Sequence, residues 1–337
     1  MTRIRVETFD LLGIGLIVAF AAWTVVSAVA RDGKAVPQVF VLVITAVGYV
    51  LGRLLGGSYP VPVATVVAVG ILVSAIAAGA AGFLGRPLSP PLGYANANGA
   101  LYAQGVAAAA IVAALASTTM MRRLSGVLAL VLFGVTVTSG SLAATLCAAG
   151  ILLAALVARP VGRRFVPIAP LVVVASVVVT IIVGLTHGAP AVPALEQALT
   201  ERRAVLWQEA MQIFAAEPVL GIGPGRFAVT SPTALADADA RWAHSGPLQV
   251  AAETGILGIL LTGALLLWTY LALYRSRQNS RLVVIGTAAV TAFAVQATTD
   301  YLLHFPALTT TVALLAGLAS CRMTVAAESA TSRGERS

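Results

Sequence analysis

Residues 202–227 read RRAVLWQEAMQIFAAEPVLGIGPGRF, and residues 242–258 read WAHSGPLQVAAETGILG. With the polar residues between them, they form a long charge-rich segment in a chain that is 59% hydrophobic. Apolar residues recur at helical spacing over 194–216, which predicts an amphipathic helix that Pro218 ends. We expect this helix to lie along a membrane surface, because a polar segment set between apolar stretches indicates a site there.

The composition around this segment is that of an integral membrane protein. Only 10% of the residues are charged, against about 25% in soluble domains, so the chain cannot form a solvated surface. The apolar runs are continuous rather than alternating, which favours helices over a β-barrel. The net charge of +8 comes mainly from Arg in short turns, without interleaved aromatic residues, which argues against nucleic acid as a partner.

The apolar runs predict an all-α fold, a polytopic bundle of about ten transmembrane helices with one large extracytoplasmic loop that contains the amphipathic helix. We expect a single membrane domain over 1–322, with the loop at 188–245, and a disordered cytoplasmic tail over 323–337. The predicted spans are 10–30, 36–55, 61–85, 99–120, 124–139, 141–158, 166–187, 247–274, 282–300 and 304–321. Only Ser139-Gly140 separates the fifth from the sixth, so these two form either a tight hairpin or one broken unit.

The distribution of basic residues predicts the orientation of the bundle. Most of the 21 Lys and Arg residues fall in alternate connections, which the positive-inside rule assigns to the cytoplasm. Both termini are then cytoplasmic, and the loop 188–245 faces outside.

Polar residues in the outer loop are the first candidates for chemistry. His244 precedes Gly246-Pro247, a typical helix start, where an imidazole can act as a base or face a phosphate, or simply mark the membrane interface. Arg202 and Arg203 can bind a diphosphate through paired hydrogen bonds from their guanidinium groups. However, adjacent helical residues point about 100° apart, and a solvated helix face explains the two arginines as well.

Further candidates lie on or beside the late spans. Glu253 and Gln249 share a helix face, and a carboxylate inside a lipid-embedded helix needs a partner or a wet cavity, so it is either functional or paired with an Arg. Asp300 and His304 are also four residues apart, which predicts an ion pair or a helix end with a structural role. The run 221–225 is typical of a tight turn more than of an anion site. The chain lacks metal-ligand spacing, which predicts no metal site.

Together these residues resemble the O-antigen ligase and polymerase superfamily of bacterial membrane proteins. The two blocks follow the patterns RxxLWxxAxxxFxxxPxxGIGPGxF and AHSxxLQxxAETGILG. The matching positions are Arg203, Leu206, Trp207, Ala210, Phe214, Pro218, Gly221, Gly223, Gly225 and Phe227, then His244, Leu248, Gln249, Glu253, Thr254, Gly255 and Gly258. Residues 93–99, GYANANG, look like the Asn-containing outer loop of the family, and Asp300 and Pro306 suit its late outer loop.

The resemblance implies a metal-independent glycosyltransferase without a cofactor, working in cell-envelope polysaccharide biosynthesis at the outer face of the bacterial cytoplasmic membrane. Such an enzyme takes a glycan from a polyprenyl diphosphate carrier, such as undecaprenyl diphosphate, and joins it to a saccharide, lipid or protein acceptor. By the same resemblance, the catalytic residues are His244, which activates the acceptor hydroxyl or binds phosphate, and Glu253, which orients that site. Arg203 binds the donor diphosphate. The residues expected to shape the site are Trp207, Gly223, Gly225, Gln249 and Asp300.

Two positions depart from the family pattern. Ser245 follows His244 where Asn is usual, and Ser139 stands where the family often carries an Arg. Arg86 and Arg202 are expected to supply the phosphate contact that this Arg would make. Two other hypotheses stay open: a membrane solute transporter, although the chain has no inverted repeat, and a non-catalytic subunit of a polysaccharide assembly complex, which the Ser at position 139 favours.

Overall fold

The structure is a computed structural model that describes residues 8–82, 89–158, 170, 173–174, 176–177, 201–237 and 240–321. This part of the chain contains helices and their connections, and no strand. Seven of its helices are long and apolar enough to cross a membrane, which confirms the predicted polytopic helical bundle. The predicted tail 323–337 lies outside the described residues.

The helices of the described part, in chain order, are α1 (Thr8–Arg31), α2 (Ala35–Leu55), α3 (Pro60–Ala80), α4 (Ala95–Leu115), α5 (Thr119–Thr138), α6 (Leu142–Val157), α7 (Glu201–Ala216), α8 (Pro232–Ala236), α9 (Gly246–Tyr274), α10 (Ser280–Thr299) and α11 (Pro306–Ser320). Short 3-10 turns at Phe227–Val229 and Leu302–His304 accompany them. Every predicted span except 166–187 overlaps with one of these helices, and that span lies almost wholly outside the described residues.

Local backbone geometry explains where the predicted boundaries were wrong. The third span ends at Ala80 rather than at 85, because Gly82 takes a positive φ of 71° in the turn that follows. The junction at Ser139-Gly140 is a tight hairpin and not one broken unit. Gly140 has φ 75°, and Ser141 caps α6 by accepting a hydrogen bond from the backbone N–H of Ala144.

α4 forms the centre of the bundle and carries part of the site at its N-terminus. Every residue from Ala97 to Val112 is buried, and the helix packs against α3, α5, α6 and α10. Small residues permit this, since helices inside a bilayer associate through close packing rather than through exclusion of water. A Cβ on Gly105 would lie 3.0 Å from Ile71 on α3 and 3.2 Å from Leu132 on α5.

α2 and α11 pack closely against each other. This contact holds α11, the helix that follows the connection containing Asp300, in place. A Cβ on Gly52 would lie 2.1 Å from the carbonyl oxygen of Leu314, and one on Gly317 would lie 2.2 Å from that of Tyr49. Any side chain at either glycine therefore forces the two helices apart.

α7 packs against α9 through Leu206, Trp207 and Ala210, which are all buried. Its end at Ala216 agrees with the predicted amphipathic helix, whose first residues, 194–200, lie outside the described residues. The N-termini of α4 and α9 and the C-terminus of α10 meet beside it, as the contacts of Tyr94, His244 and Asp300 show.

Candidate functional site

Asp300 lies at the centre of a polar cluster in the connection between α10 and α11. α10 stops at Thr299, and the backbone of Asp300 is extended, with φ −154° and ψ 168°. The side chain is only 4% exposed. Its Oδ2 accepts from Asn96 Nδ2 (2.7 Å), Tyr94 Oη (2.8 Å) and Arg203 Nη2 (3.2 Å), and its Oδ1 from the Tyr301 backbone N–H (2.8 Å) and His244 Nδ1 (3.2 Å). The carboxylate thus joins four segments that are distant in sequence.

Backbone hydrogen bonds fix the position of His244. Its carbonyl accepts from Nε1 of the buried Trp207 at 3.1 Å, and the N–H of Gly246 donates to the carbonyl of Asp300 at 3.0 Å. His244 itself has a φ of 48°, in the left-handed region that a residue with a Cβ seldom adopts. These bonds hold that strained conformation and so keep the imidazole against the carboxylate.

The charge state of Asp300 determines which nitrogen of His244 carries the proton. Burial raises the pKa of Asp300, but the hydrogen bond from His244 and the charge of Arg203 outweigh it, and the pKa lies below its ordinary value. An ionised carboxylate can only accept hydrogen bonds, so Nδ1 of the neutral imidazole is the donor. Nε2 makes no hydrogen bond to a described residue. It is therefore left as an oriented base.

The first turn of α4 supplies two groups of the cluster that the sequence did not single out as site residues. Tyr94 Oη donates to Asp300, and Asn96 Nδ2 donates to both Asp300 and Tyr94 Oη. Burial, and then the charge of Asp300, raises the pKa of Tyr94 and of Tyr301 well above the usual range, so both hydroxyls stay protonated. The signal in the sequence was the polar run 93–99 at the head of an apolar span.

The neighbouring arginines of α7 have different partners. Arg203 lies one turn before Trp207, and its side chain, 20% exposed, pairs with Asp300. Arg202 is more exposed and pairs with Asp237. Only Arg203 is therefore part of the Asp300 cluster. Arg86 lies outside the described residues.

Glu253 lies at a break in α9, and among the described residues its carboxyl group bonds to Gln249, Gly225 and Phe227 rather than to His244. Gly255 has φ 67° and ψ −164°, which interrupts the helix, and the N–H of Ile256 bonds to the carbonyl of Pro218 at 2.8 Å. The buried carboxylate of Glu253 accepts from Gln249 Nε2 at 2.7 Å, and Gln249 Oε1 accepts from the backbone N–H of Ala243 at 2.7 Å. The pair thus connects the break in α9 to the segment before His244.

The glycine-rich turn at 221–225 docks onto this break. The N–H of Gly223 donates to the carbonyl of Glu253 at 2.9 Å, and the carboxylate of Glu253 accepts from the N–H groups of Gly225 and Phe227. Gly221, Gly223 and Gly225 all have positive φ. The N–H groups of Gly225 and Phe227 therefore hold the protein's own carboxyl group.

Of the two roles expected for Asp300 and His304, the structure shows the helix end and not the ion pair. An ion pair four residues apart requires a helix that continues, and α10 ends before Asp300. The carboxylate binds His244 instead, while His304 Nδ1 lies 3.2 Å from the carbonyl of Tyr301.

Ser139 occupies a confined position beside α4. It is 5% exposed, and its Oγ donates to the carbonyl of Thr136 at 2.6 Å, closing the end of α5. The same Oγ lies 2.6 Å from the place that a Cβ on Gly99 would take. Gly99 follows Asn96 by one turn, so Ser139 borders the end of α4 that carries the site.

No group of three or more His, Cys, Asp or Glu side chains that could hold a metal ion occurs within the described part of the chain. The two cysteines, Cys147 and Cys321, are free thiols.

The comparison with known families agrees with this arrangement. Residues 124–263 match the family model described as O-Antigen ligase. No curated protein matches the chain. The matched region contains Arg203, His244 and Glu253, and ends before Asp300. With the apolar helices, it indicates a multi-pass inner-membrane protein with a glycosyltransferase-like domain. Through residues 124–263, the chain is thus similar to the O-antigen ligase family, which supports the resemblance to the O-antigen ligase and polymerase superfamily.

Proposed function

We propose that this protein is a glycosyltransferase that moves a glycan from a polyprenyl-diphosphate carrier to a saccharide acceptor at the outer face of the cytoplasmic membrane. The observation that carries the proposal is that one buried carboxylate, Asp300, holds an imidazole on one oxygen and a guanidinium on the other, each at 3.2 Å. A base and a cation are the two groups that such a transfer requires from the protein.

The proposed reaction is a displacement at the anomeric carbon of the donor sugar. The acceptor hydroxyl gives its proton to Nε2 of His244, and its oxygen forms the new bond to the anomeric carbon. The bond from that carbon to the diphosphate oxygen breaks, and the carrier diphosphate leaves with the electron pair. The proton on His244 then passes to the departing diphosphate or to water.

Arg203 stabilises the charge that develops on the diphosphate. A guanidinium presents planar paired donors to phosphate oxygens, and at a partly buried position its field is screened less than in bulk water. This gives leaving-group stabilisation without a metal ion. Asp300 positions both side chains, while Trp207, Gln249 and Glu253 position the backbone that carries His244.

The location of the site is part of the proposal. The same end of the bundle carries the α1–α2 turn, where the N–H of Lys34 donates to the carbonyl of Pro224 at 2.7 Å. We infer that this end faces outside and that both termini are cytoplasmic. Single cysteines at Lys34 and Tyr59, on opposite ends of α2 and both exposed, test it in intact cells. A membrane-impermeant maleimide is expected to label Lys34→Cys and to spare Tyr59→Cys, and the reverse pattern contradicts the orientation.

The activity is tested with the purified protein in liposomes that contain a polyprenyl-diphosphate-linked glycan isolated from the source cells. The wild type is expected to consume this donor and to release the carrier diphosphate. His244→Ala is expected to reduce the rate by roughly 100-fold or more, as loss of a general base does. A wild-type protein without transfer activity, or a His244→Ala variant with an undiminished rate at equal protein level, contradicts the proposal.

A further inference from the structure

The break in α9 removes hydrogen bonds that a continuous helix would make. In a regular α-helix the N–H of Ile256 would donate to the carbonyl of Ala252, but here it donates to that of Pro218. The carbonyl of Ala252 instead accepts from the N–H of Ile222, in the glycine-rich turn, at 3.0 Å. An unpaired carbonyl inside a bilayer is costly, because no water reaches it. The break therefore depends on donors that lie outside α9.

Two side chains of α1 supply such donors. Nε1 of Trp23 donates to the carbonyl of Thr254 at 2.7 Å. Ser27, which is fully buried, donates from Oγ to the carbonyl of Leu220 at 2.8 Å, and the carbonyl of Glu253 lies 3.2 Å from the same oxygen. Trp23 and Ser27 are four positions apart and so share one face of α1. This face holds both the break and the turn that docks on it.

The outer end of α1 binds the same turn. The carbonyl of Arg31 accepts from Nη1 of Arg226 at 2.7 Å, and the side chain of Arg31 forms an ion pair with Glu217. Just beyond α1, the N–H of Lys34 donates to the carbonyl of Pro224. Residues 217–226 are therefore held against α1 from the ion pair at one end to Arg226 at the other.

A chain of contacts leads from the break to the base. The carboxyl group of Glu253 accepts from Gln249 Nε2, and Gln249 Oε1 accepts from the N–H of Ala243, the residue before His244. Thr254, which accepts the indole hydrogen bond, directly follows Glu253. A catalytic group has to lie within about 0.5 Å of its productive position. A small shift of the break is therefore enough to lower the rate.

We infer that Trp23 and Ser27 are positioning residues for the transfer reaction: their hydrogen bonds hold the break in α9 and, through it, the imidazole of His244. In the described part of the chain, neither side chain is a hydrogen-bond partner of Asp300. Their effect therefore reaches the base through α9 and the turn. This inference rests on the proposed function and goes beyond it, because it makes α1, which lies outside the matched residues 124–263, a requirement for catalysis.

The test measures kcat and the KM for the lipid-linked donor separately, in the liposome assay and at equal amounts of protein. Trp23→Phe keeps an aromatic ring and loses the N–H, and Ser27→Ala loses the hydroxyl. Each is expected to lower kcat about tenfold, because a misplacement of about 1 Å costs roughly 100-fold and a smaller shift costs less. The donor KM is expected to stay unchanged, since Arg203 is held by Asp300 and not by the break.

Trp268→Phe is the matched control, because Trp268 makes the same kind of bond between the same two helices. Its Nε1 donates to the carbonyl of Phe9 at 3.0 Å, roughly 20 Å further along α9 than the break. Its kcat is expected to stay within about twofold of the wild type, as for a site with no shared partner. Equal falls of kcat in Trp268→Phe and Trp23→Phe would show that any loss of packing between α1 and α9 slows the reaction, and would overturn the inference.

A double-variant cycle tests the route. Gln249→Met cuts the connection between Glu253 and Ala243 and is expected to lower kcat by itself. Because Trp23 acts along this connection, adding Trp23→Phe to Gln249→Met is expected to lower kcat by less than about twofold more. A further fall of about tenfold means that the two positions act independently, which overturns the inference. An active wild type with an undiminished kcat in both Trp23→Phe and Ser27→Ala also overturns it, whereas a wild type that transfers nothing overturns the proposed function itself.

Discussion

His244 and Asp300 are 56 positions apart in the chain, and a hydrogen bond of 3.2 Å joins Nδ1 of the imidazole to Oδ1 of the carboxylate. The bond brings the N-terminus of α9 and the C-terminus of α10 together at one point. Because the carboxylate also pairs with Arg203, the position of the base and the position of the cation depend on the same side chain.

Replacing Asp300 with Asn tests this dependence. The amide has nearly the same shape, but it has no charge and can present its NH₂ group to Nδ1, which favours the imidazole tautomer that protonates Nε2. We expect kcat for glycan transfer to fall by about 100-fold or more, with the protein still accumulating in membranes. The measurement is the transfer rate in liposomes at equal amounts of protein.

Asp237→Asn is the matched control, because Asp237 pairs with Arg202 at the exposed edge of the same loop. Its kcat is expected to stay within about twofold of the wild type, since exposed ion pairs contribute little. A full rate in Asp300→Asn would show that the carboxylate does not position the base.

The two neighbouring arginines give a second prediction. Arg203→Lys keeps the charge but loses the planar fork that reaches Asp300 and the proposed diphosphate, so we expect the rate to fall at least about tenfold. Arg202→Lys is expected to change the rate by less than about twofold, because that side chain faces Asp237. Equal losses in both variants would indicate a general effect of charge on the loop rather than a specific contact of Arg203.

The fold was largely predictable from the sequence, because a lipid-embedded helix appears there as a long run of apolar residues. The helix ends were less predictable because they depend on single backbone conformations. The positive φ of Gly82 ends α3 earlier than hydropathy suggests, and that of Gly140 makes the hairpin between α5 and α6. Neither glycine differs in the sequence from the glycines that lie inside helices.

The centre of the site was less accessible to sequence reasoning. His244 and Arg203 stood out because they are polar residues next to apolar spans. The four-residue spacing of Asp300 and His304 left an ion pair and a helix end open, and it did not predict that Asp300 would bind His244. The contact of Asp300 with Tyr94 spans 206 positions, and no periodicity in the sequence encodes a contact of that kind.

Gly255 leads to a prediction about stability. Its φ of 67° and ψ of −164° belong to a region that only glycine occupies readily, and a Cβ there would lie 2.1 Å from the carbonyl oxygen of Val219. We expect Gly255→Ala to lower the melting temperature in detergent strongly, at a cost of roughly 3 kcal/mol or more, or to prevent accumulation. The stability falls because the added Cβ displaces residues 217–225, which pack against the break in α9.

Gly263→Ala is the control on the same helix, because nothing lies within 4 Å of its added Cβ. Alanine is the better helix former by about 1 kcal/mol, so its melting temperature is expected to stay equal or to rise. Equal melting temperatures in the Gly255 variant and the wild type would mean that the break in α9 is not required for stability.

His304 predicts a pH dependence of stability that is separate from catalysis. Burial lowers its pKa from 6.5 to about 4. Above pH 6.5 the imidazole is neutral in both the folded and the unfolded chain, so it does not change how stability depends on pH. Between pH 6.5 and 4 the unfolded chain binds the proton more readily, so stability falls as the pH falls, by about 2 kcal/mol at pH 5. Below pH 4 this loss levels off.

His304→Gln removes the titration and keeps a side-chain N–H for the carbonyl of Tyr301. We expect the melting temperature in detergent to fall less between pH 7 and pH 5 in this variant than in the wild type, because the acid-dependent loss at position 304 is gone. All other titrating groups are shared by the two proteins, so the difference between the two curves isolates His304. Parallel curves over this range would show that the imidazole is protonated as easily in the folded protein as in water, and that its packing against Trp242 does not exclude the charge.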